Sequence, residues 1–317
     1  MIESLYITQD NKILEANETT PLHWIHVQNP TPEEILALSK EYEFPQDYLS
    51  AVLDNQEISR YEAPIQNELI KPILLLLQYP KEITSPSGFV QFEALPFSII
   101  LTPKLLITSC KGDFNFRHEL EKGRAFNSSL PITEKIAIQL AWSFSDLFNH
   151  HIKGIKYETD RLESELHLAT ENKQLFELMD MQKSLVYFDS ALEQNLSVLQ
   201  RTYESKIIMT TKEGSIALYD IIIETKQALA SGKIQAELLG QLGSMFSAIV
   251  GNNMNIVMKL LTVITIILTI PTLVGGIYGM NVRLPFSNDT NAFWFLMFVI
   301  LISSIATIWI LKKKKFF

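Results

Sequence analysis

Polar residues are sparse in the longest apolar stretch of the chain, Leu260 to Asn281 (LLTVITIILTIPTLVGGIYGMN), and they are not scattered. The run is apolar for about eighteen residues before a short polar signature, long enough to cross the hydrocarbon core of a bilayer as one helix. Asn255, Met258, Thr262, Thr265, Thr269, Thr272, Gly276 and Gly279 recur at steps of three and four. At 100° per residue they share one stripe about 120° wide. One reading is that each threonine bonds back to its own backbone, as is common in membrane helices. Four threonines in register, continued by Asn on one side and Gly on the other, favour a polar seam facing water or another helix. Intramembrane polar groups generally face a bundle interior or a cavity.

A second apolar span follows from Ala292 to Leu311, with Trp294 and Trp309 near its ends as interfacial aromatics and Lys312 to Lys315 directly after it. Four lysines against a nearly neutral loop, which holds Arg283 and Asp289, predict that both termini are cytoplasmic and the short connection is outside. The lysines could instead bind lipid, which also places them on the cytoplasmic face.

Upstream, residues 1–130 read as mixed α/β. Leu22 to Val27 is a candidate strand, and Thr31-Pro32-Glu33-Glu34 starts a helix, with Thr31 as cap, Pro32 first and Glu34 closing the capping box. A helix is expected over Asp47 to Asp54. Leu69 to Tyr79 and Ala94 to Leu101 are apolar but interrupted by Pro72 and Pro96, so they are predicted as buried strands, with another at Leu105 to Thr108. From Ile132 the pattern turns helical. Ile132 to Leu168 and Asn172 to about Tyr203 predict a helical hairpin, a break is expected near Lys212-Glu213-Gly214, and a third helical pattern from about Ser215 meets no proline before Pro271. Gly232, Gly240, Gly243 and Gly251 weaken it locally but allow close approach of neighbours.

The expected organisation is an α/β domain over 1–130 and a helical stalk over 131–257. A pore-side span over 258–281, a loop over 282–291, a second span over 292–311 and a basic tail over 312–317 complete it. Six of the 27 basic residues and one of the 35 acidic residues lie at or beyond Lys259, leaving 21 against 34 before it. An acidic body disfavours nucleic acid and attracts cations. Cys110 is alone, so no disulfide framework or cysteine metal site is expected. The six histidines form no spaced cluster, and His150 and His151 are adjacent positions that a helix would point apart. The sequons at Asn17, Asn127 and Asn195 are expected to be chance, and the N-terminal MIESLYITQDNK to carry no cleavable signal. With no phosphate loop and no nucleophile beside a base, the expectation is that the chain is not an enzyme.

Two helices cannot enclose a pore. A polar stripe on the first span therefore needs copies of itself around an axis, where each threonine becomes a ring of hydroxyls and the apolar second span faces lipid.

Tyr278-Gly279-Met280-Asn281, preceded by Gly275-Gly276-Ile277, Asn255, Met258-Lys259 and Pro271-Thr272, resembles the CorA family of magnesium channels. Trp24-Ile25-His26-Val27, Thr31-Pro32-Glu33-Glu34 and Arg60-Tyr61-Glu62 are also similar to that family. The resemblance implies a homopentameric, funnel-shaped channel in the cell membrane. Each subunit would have an α+β cytoplasmic domain (an α/β sandwich), a long helical stalk and two transmembrane helices. It implies Gly279, Met280 and Asn281 as the selectivity motif, with Asn281 and Gly279 presenting oxygens to the ion. Thr272, Thr269, Thr265 and Thr262 would line the wall, Met258 and Leu261 would form the apolar gate, and Asn255 would sit at its inner end. Mg2+ is implied as both the transported and the regulatory ion, with Co2+ or Ni2+ as possible cargo and the bilayer as the other partner. Rings of neutral oxygens suit an ion that keeps its water.

Two positions depart from the family. The outer loop reads Leu284-Pro285-Phe286 where Met-Pro-Glu is common, leaving Asp289 as the only loop acid. Asp220 matches one regulatory carboxylate, but its expected partner aligns with Ala51, with Asp54 a turn away. Two other readings stand beside the magnesium channel: a zinc transporter of the ZntB-like branch, and a membrane-anchored scaffold that conducts nothing. A scaffold has no need of aligned hydroxyls.

Overall fold

The computed structural model describes residues 1–8, 12–17, 20–63, 72–114, 130–165, 172–209, 211–282, 285 and 291–313. It separates into two compact units, Met1–Gly243 and Ser244–Phe317.

The first unit is built on a seven-stranded sheet of order β2-β1-β3-β7-β6-β5-β4. Its strands are β1 (Ile2–Ile7), β2 (Ile13–Glu15), β3 (Trp24–Gln28), β4 (Arg60–Glu62), β5 (Ile73–Thr84), β6 (Val90–Leu101) and β7 (Leu106–Cys110). β3 and β7 are parallel, with Trp24 opposite Leu106, and the other pairs are antiparallel. Period-two alternation divides the side chains between two cores. Trp24, Leu75, Leu77, Tyr79, Phe97, Ile99 and Leu106 enter one with α3 (Ile132–Glu165), α4 (Asn172–Ser205) and the first turns of α5 (Lys212–Tyr278). Ile25, Val27, Leu74, Leu76, Ile100 and Ile107 enter the other with α1 (Pro32–Glu41) and α2 (Asp47–Ser50). The result is a sandwich of helices on both faces of the sheet.

Buried polar side chains fix the helices to the sheet. Asn195 of α4 accepts the Gln78 N–H and donates to the Gln78 carbonyl, both at 2.8 Å, so its amide acts as one more strand residue. Asn195 is 4% exposed, which places the third sequon inside the core. Ser85, in the β5–β6 turn, donates to the buried carboxylate of Asp180 at 2.5 Å. In the sheet the Trp24 indole N–H donates to Thr108 Oγ1, which also contacts His26 Nδ1 at 2.9 Å.

The expected capping box at α1 is present: Thr31 Oγ1 accepts the Glu34 N–H and Glu34 accepts the Thr31 N–H. Asp47 to Asp54 is not one helix. α2 stops at Ser50, Ala51–Leu53 form a single 3-10 turn, and Asp54 is extended. Its Oδ1 accepts the Gln56 N–H at 2.9 Å, a local bond that competes with helix continuation. β5 and β6 extend beyond the apolar runs into a longer hairpin, and β1, β2 and β4 were not expected. α5 starts at Lys212, ahead of Gly214, because Thr211 caps it by accepting the Gly214 N–H at 3.1 Å. A side chain at Gly214 would lie 3.1 Å from Leu130 and 3.3 Å from the Met209 Cα, so glycine there serves close packing.

In the second unit the remainder of α5 and α6 (Ala292–Lys313) are helical. Both are long and apolar enough to cross a membrane, and only 6% and 0% of their most apolar stretches are buried.

Candidate ion-conducting face

Within the second unit, shielding follows one stripe on each helix. On α5, Lys259, Val263, Ile267, Ile270, Val274 and Tyr278 are the less exposed positions, spaced by three and four, and Val263 is 3% exposed. On α6 they are Leu296, Ile300, Ser303, Ser304, Thr307 and Leu311. At 100° per residue the threonines lie about 150° around α5 from its shielded stripe. Thr262, Thr265, Thr269 and Thr272 are all exposed, as are Asn255, Met258, Leu261, Gly279, Met280 and Asn281. The chain therefore covers one side of α5 and leaves the rest open, the threonine side and apolar residues such as Leu260, Leu268 and Leu273 alike.

Each of these hydroxyls is also tied to its own helix. Thr262 donates to the Met258 carbonyl at 2.8 Å, Thr265 to Leu261 at 2.8 Å, Thr269 to Thr265 at 2.7 Å and Thr272 to Leu268 at 2.8 Å. The back-bonding reading of the pattern is met, with consequences for its chemistry. A hydroxyl has one hydrogen and two lone pairs. With the hydrogen committed to the backbone, the oxygens turn only acceptors outward. Such a surface matches the outward hydrogens of a cation's water shell and offers no donor to an anion.

The C-terminal end of α5 is closed at a glycine. Gly279 N–H bonds the Gly275 carbonyl at 2.9 Å and Met280 N–H bonds Ile277 at 3.2 Å, closing the helix. A Cβ at Gly279 would lie 3.1 Å from the Gly275 oxygen. Tyr278 Oη donates to the Pro285 carbonyl at 3.3 Å, holding Pro285 of the connection between α5 and α6 near the helix end. The last carbonyls of a helix carry the negative end of its dipole. Gly279, Met280 and Asn281 sit there, so cation attraction at this end does not depend on a loop acid. Leu284, Phe286, Asp289, Lys314 and Lys315 lie outside the described residues.

Asp220 is exposed on α5 and Asp54 is exposed beyond the 3-10 turn. Among the described residues no group of three or more His, Cys, Asp or Glu side chains is arranged to hold a metal. Ala51, aligned with the expected partner of Asp220, is 5% exposed and belongs to the core. The nearby acids are instead gathered on Arg60, which pairs with Asp47 at 3.1 Å, with Glu62 at 2.7 Å and with Glu57. The sequence reading missed this cluster, and it did not single out Ser303, Ser304 and Thr307, which lie on the less exposed stripe of α6. The signal was the Ser303/Thr307 spacing of four, which lets membrane helices approach closely.

An α/β domain followed by two helices long and apolar enough to cross a membrane, with Gly-Met-Asn directly after the first, has the make-up of a two-span membrane protein. The chain belongs to the CorA-like Mg2+ transporter protein family, whose model matches residues 21–313. It is 26% identical to the cobalt/magnesium transport protein CorA of Methanocaldococcus jannaschii over 99% of both chains. It is 23% identical to the magnesium transport protein CorA of Helicobacter pylori over 95% of this chain and 92% of that one. The solved structure of the CorA magnesium transporter from M. jannaschii superposes with a TM-score of 0.78 at 22% identity, covering 98% of this chain and 97% of that one.

Proposed function

We propose that this chain forms a homopentameric channel in the cell membrane that admits hydrated Mg2+, and Co2+ or Ni2+ with it, down the membrane potential. The observation that carries the reading is the exposed threonine stripe on the side of α5 away from its shielded stripe. A polar face left uncovered in a bilayer is costly unless other subunits complete it. The names of the relatives, magnesium and cobalt/magnesium transport proteins, support the choice of cargo.

In this reading five Asn281 carboxamides and the Gly279 carbonyls meet the ion at the outer mouth and bond to its water. Thr272, Thr269, Thr265 and Thr262 pass it along acceptor rings, so magnesium, which dehydrates reluctantly, keeps its shell. Met258 and Leu261, 53% and 57% exposed in the single chain, form the constriction where dewetting stops flow, and Asn255 receives the ion beyond it. Both termini are cytoplasmic. An inside-negative potential favours entry by about 4.6 kcal/mol per 100 mV for a divalent ion. Cytoplasmic Mg2+ closes the channel through carboxylates between subunits, for which Asp220 and Asp54 are the candidates. Patch-clamp currents indifferent to millimolar internal Mg2+ would remove this regulatory part alone.

The test of conduction is Mg2+ uptake by proteoliposomes holding the wild-type chain or Asn281→Ala. Uptake by the wild type and its loss in the variant are expected. Equal flux through both overturns the site assignment. Flux of Zn2+ but not Mg2+ selects the zinc reading, and no flux of any divalent ion selects the scaffold.

A further inference from the structure

α6 leaves its apolar run abruptly. Lys312 and Lys313 occupy its last turn, and Lys314 and Lys315 follow in the sequence with no acid between Asp289 and Phe317. Among the described residues neither Lys312 nor Lys313 pairs with a carboxylate. The Lys313 ammonium lies 5.1 Å from the centre of the Trp309 ring, and Trp309 is 62% exposed. Tryptophan at the end of a membrane helix settles at headgroup level. In a bilayer, an ammonium lying over that ring would be held at the same depth, within reach of lipid phosphate. The carbonyl end of α6 adds to the attraction for the cations of its last turn, Lys312 and Lys313.

We propose that Lys312 and Lys313 bind the phosphodiester headgroups of anionic phospholipid in the leaflet where α6 ends. The proposal rests on the reading that α6 crosses a bilayer. Lysine suits the task because its compact charge on a flexible stem can follow mobile phosphates without needing a fixed fork geometry. Each lysine near an anionic surface contributes about a fivefold factor in affinity, so the double replacement costs roughly twenty-five-fold.

The full chain in mild detergent is titrated with phosphatidylglycerol, with phosphatidylcholine and with inorganic phosphate, and bound lipid is counted by native mass spectrometry. The expected result is retention of phosphatidylglycerol over phosphatidylcholine. Lys312→Gln/Lys313→Gln should lower the affinity for phosphatidylglycerol by that factor and leave phosphatidylcholine unchanged. Equal retention of the two lipids by the wild type, or an unchanged affinity in the variant, overturns the proposal. So does displacement of phosphatidylglycerol by equimolar inorganic phosphate, which would make this a site for free anions. Flotation of both proteins with phosphatidylcholine vesicles keeps the membrane reading separate: a wild-type chain that does not float overturns that reading itself.

Discussion

Replacing Thr269 by valine separates the hydroxyl's role toward the ion from its role in the helix. Valine keeps the branched shape, so packing along the stripe is preserved. The lost bond, Thr269 Oγ1 to the Thr265 carbonyl at 2.7 Å, is an extra one on a carbonyl that already takes an intrahelical N–H. Helix stability therefore changes little. In the proposed pentamer, what disappears is a ring of outward lone pairs. A hydrated ion on the axis that touches two hydroxyls of the ring loses about 1 kcal/mol for each, so about 2 kcal/mol and about thirtyfold in flux. Thr269→Ser keeps both the backbone bond and the lone pairs and should conduct near the wild-type rate. The assay is Mg2+ influx into liposomes with a trapped fluorescent indicator at a clamped potential, normalised to incorporated protein. Wild-type flux through Thr269→Val, or an equal fall in the serine and valine variants, would refute the acceptor wall.

Other outcomes follow from the same geometry. Burial lowers the His26 pKa from 6.5 to about 3, so the unfolded chain binds more protons between these values. Stability is then complete above about pH 6.5 and declines on acidification by up to about 1.4 kcal/mol per pH unit; melts of His26→Gln should show a shallower slope, and an unchanged slope contradicts the assignment. Asn195→Ala strands the Gln78 N–H and carbonyl in the core and should cost about 2–4 kcal/mol in denaturant unfolding of the soluble unit's signal. Gly279→Ala brings a methyl to 3.1 Å from the Gly275 oxygen and should reduce Mg2+ flux while the melt of the soluble unit stays put; full flux would show that the helix end tolerates displacement.

Local patterns were legible without coordinates because they are properties of neighbouring residues. The capping box at Thr31 and Glu34, the two apolar spans and the threonine stripe each depend on spacings of three or four along one helix. The helix expected through Asp54 failed for an equally local reason, the Asp54 side chain bonding the Gln56 N–H, but that bond was one of two outcomes the same residues allowed.

What the sequence determined by itself is which surfaces are polar, apolar or charged, since a helix's period assigns every residue a side in advance. Which of those surfaces is covered was decided by tertiary structure. The pairing of β1 with β3 and the parallel pairing of β3 with β7 join segments separated in the chain. Arg60 gathers acids from three separate positions. The shielding of Val263 rather than Thr265 on α5 likewise depends on residues far along the chain. Burial is a relation between segments, and a single segment's periodicity carries no information about which of its sides a distant one will occupy.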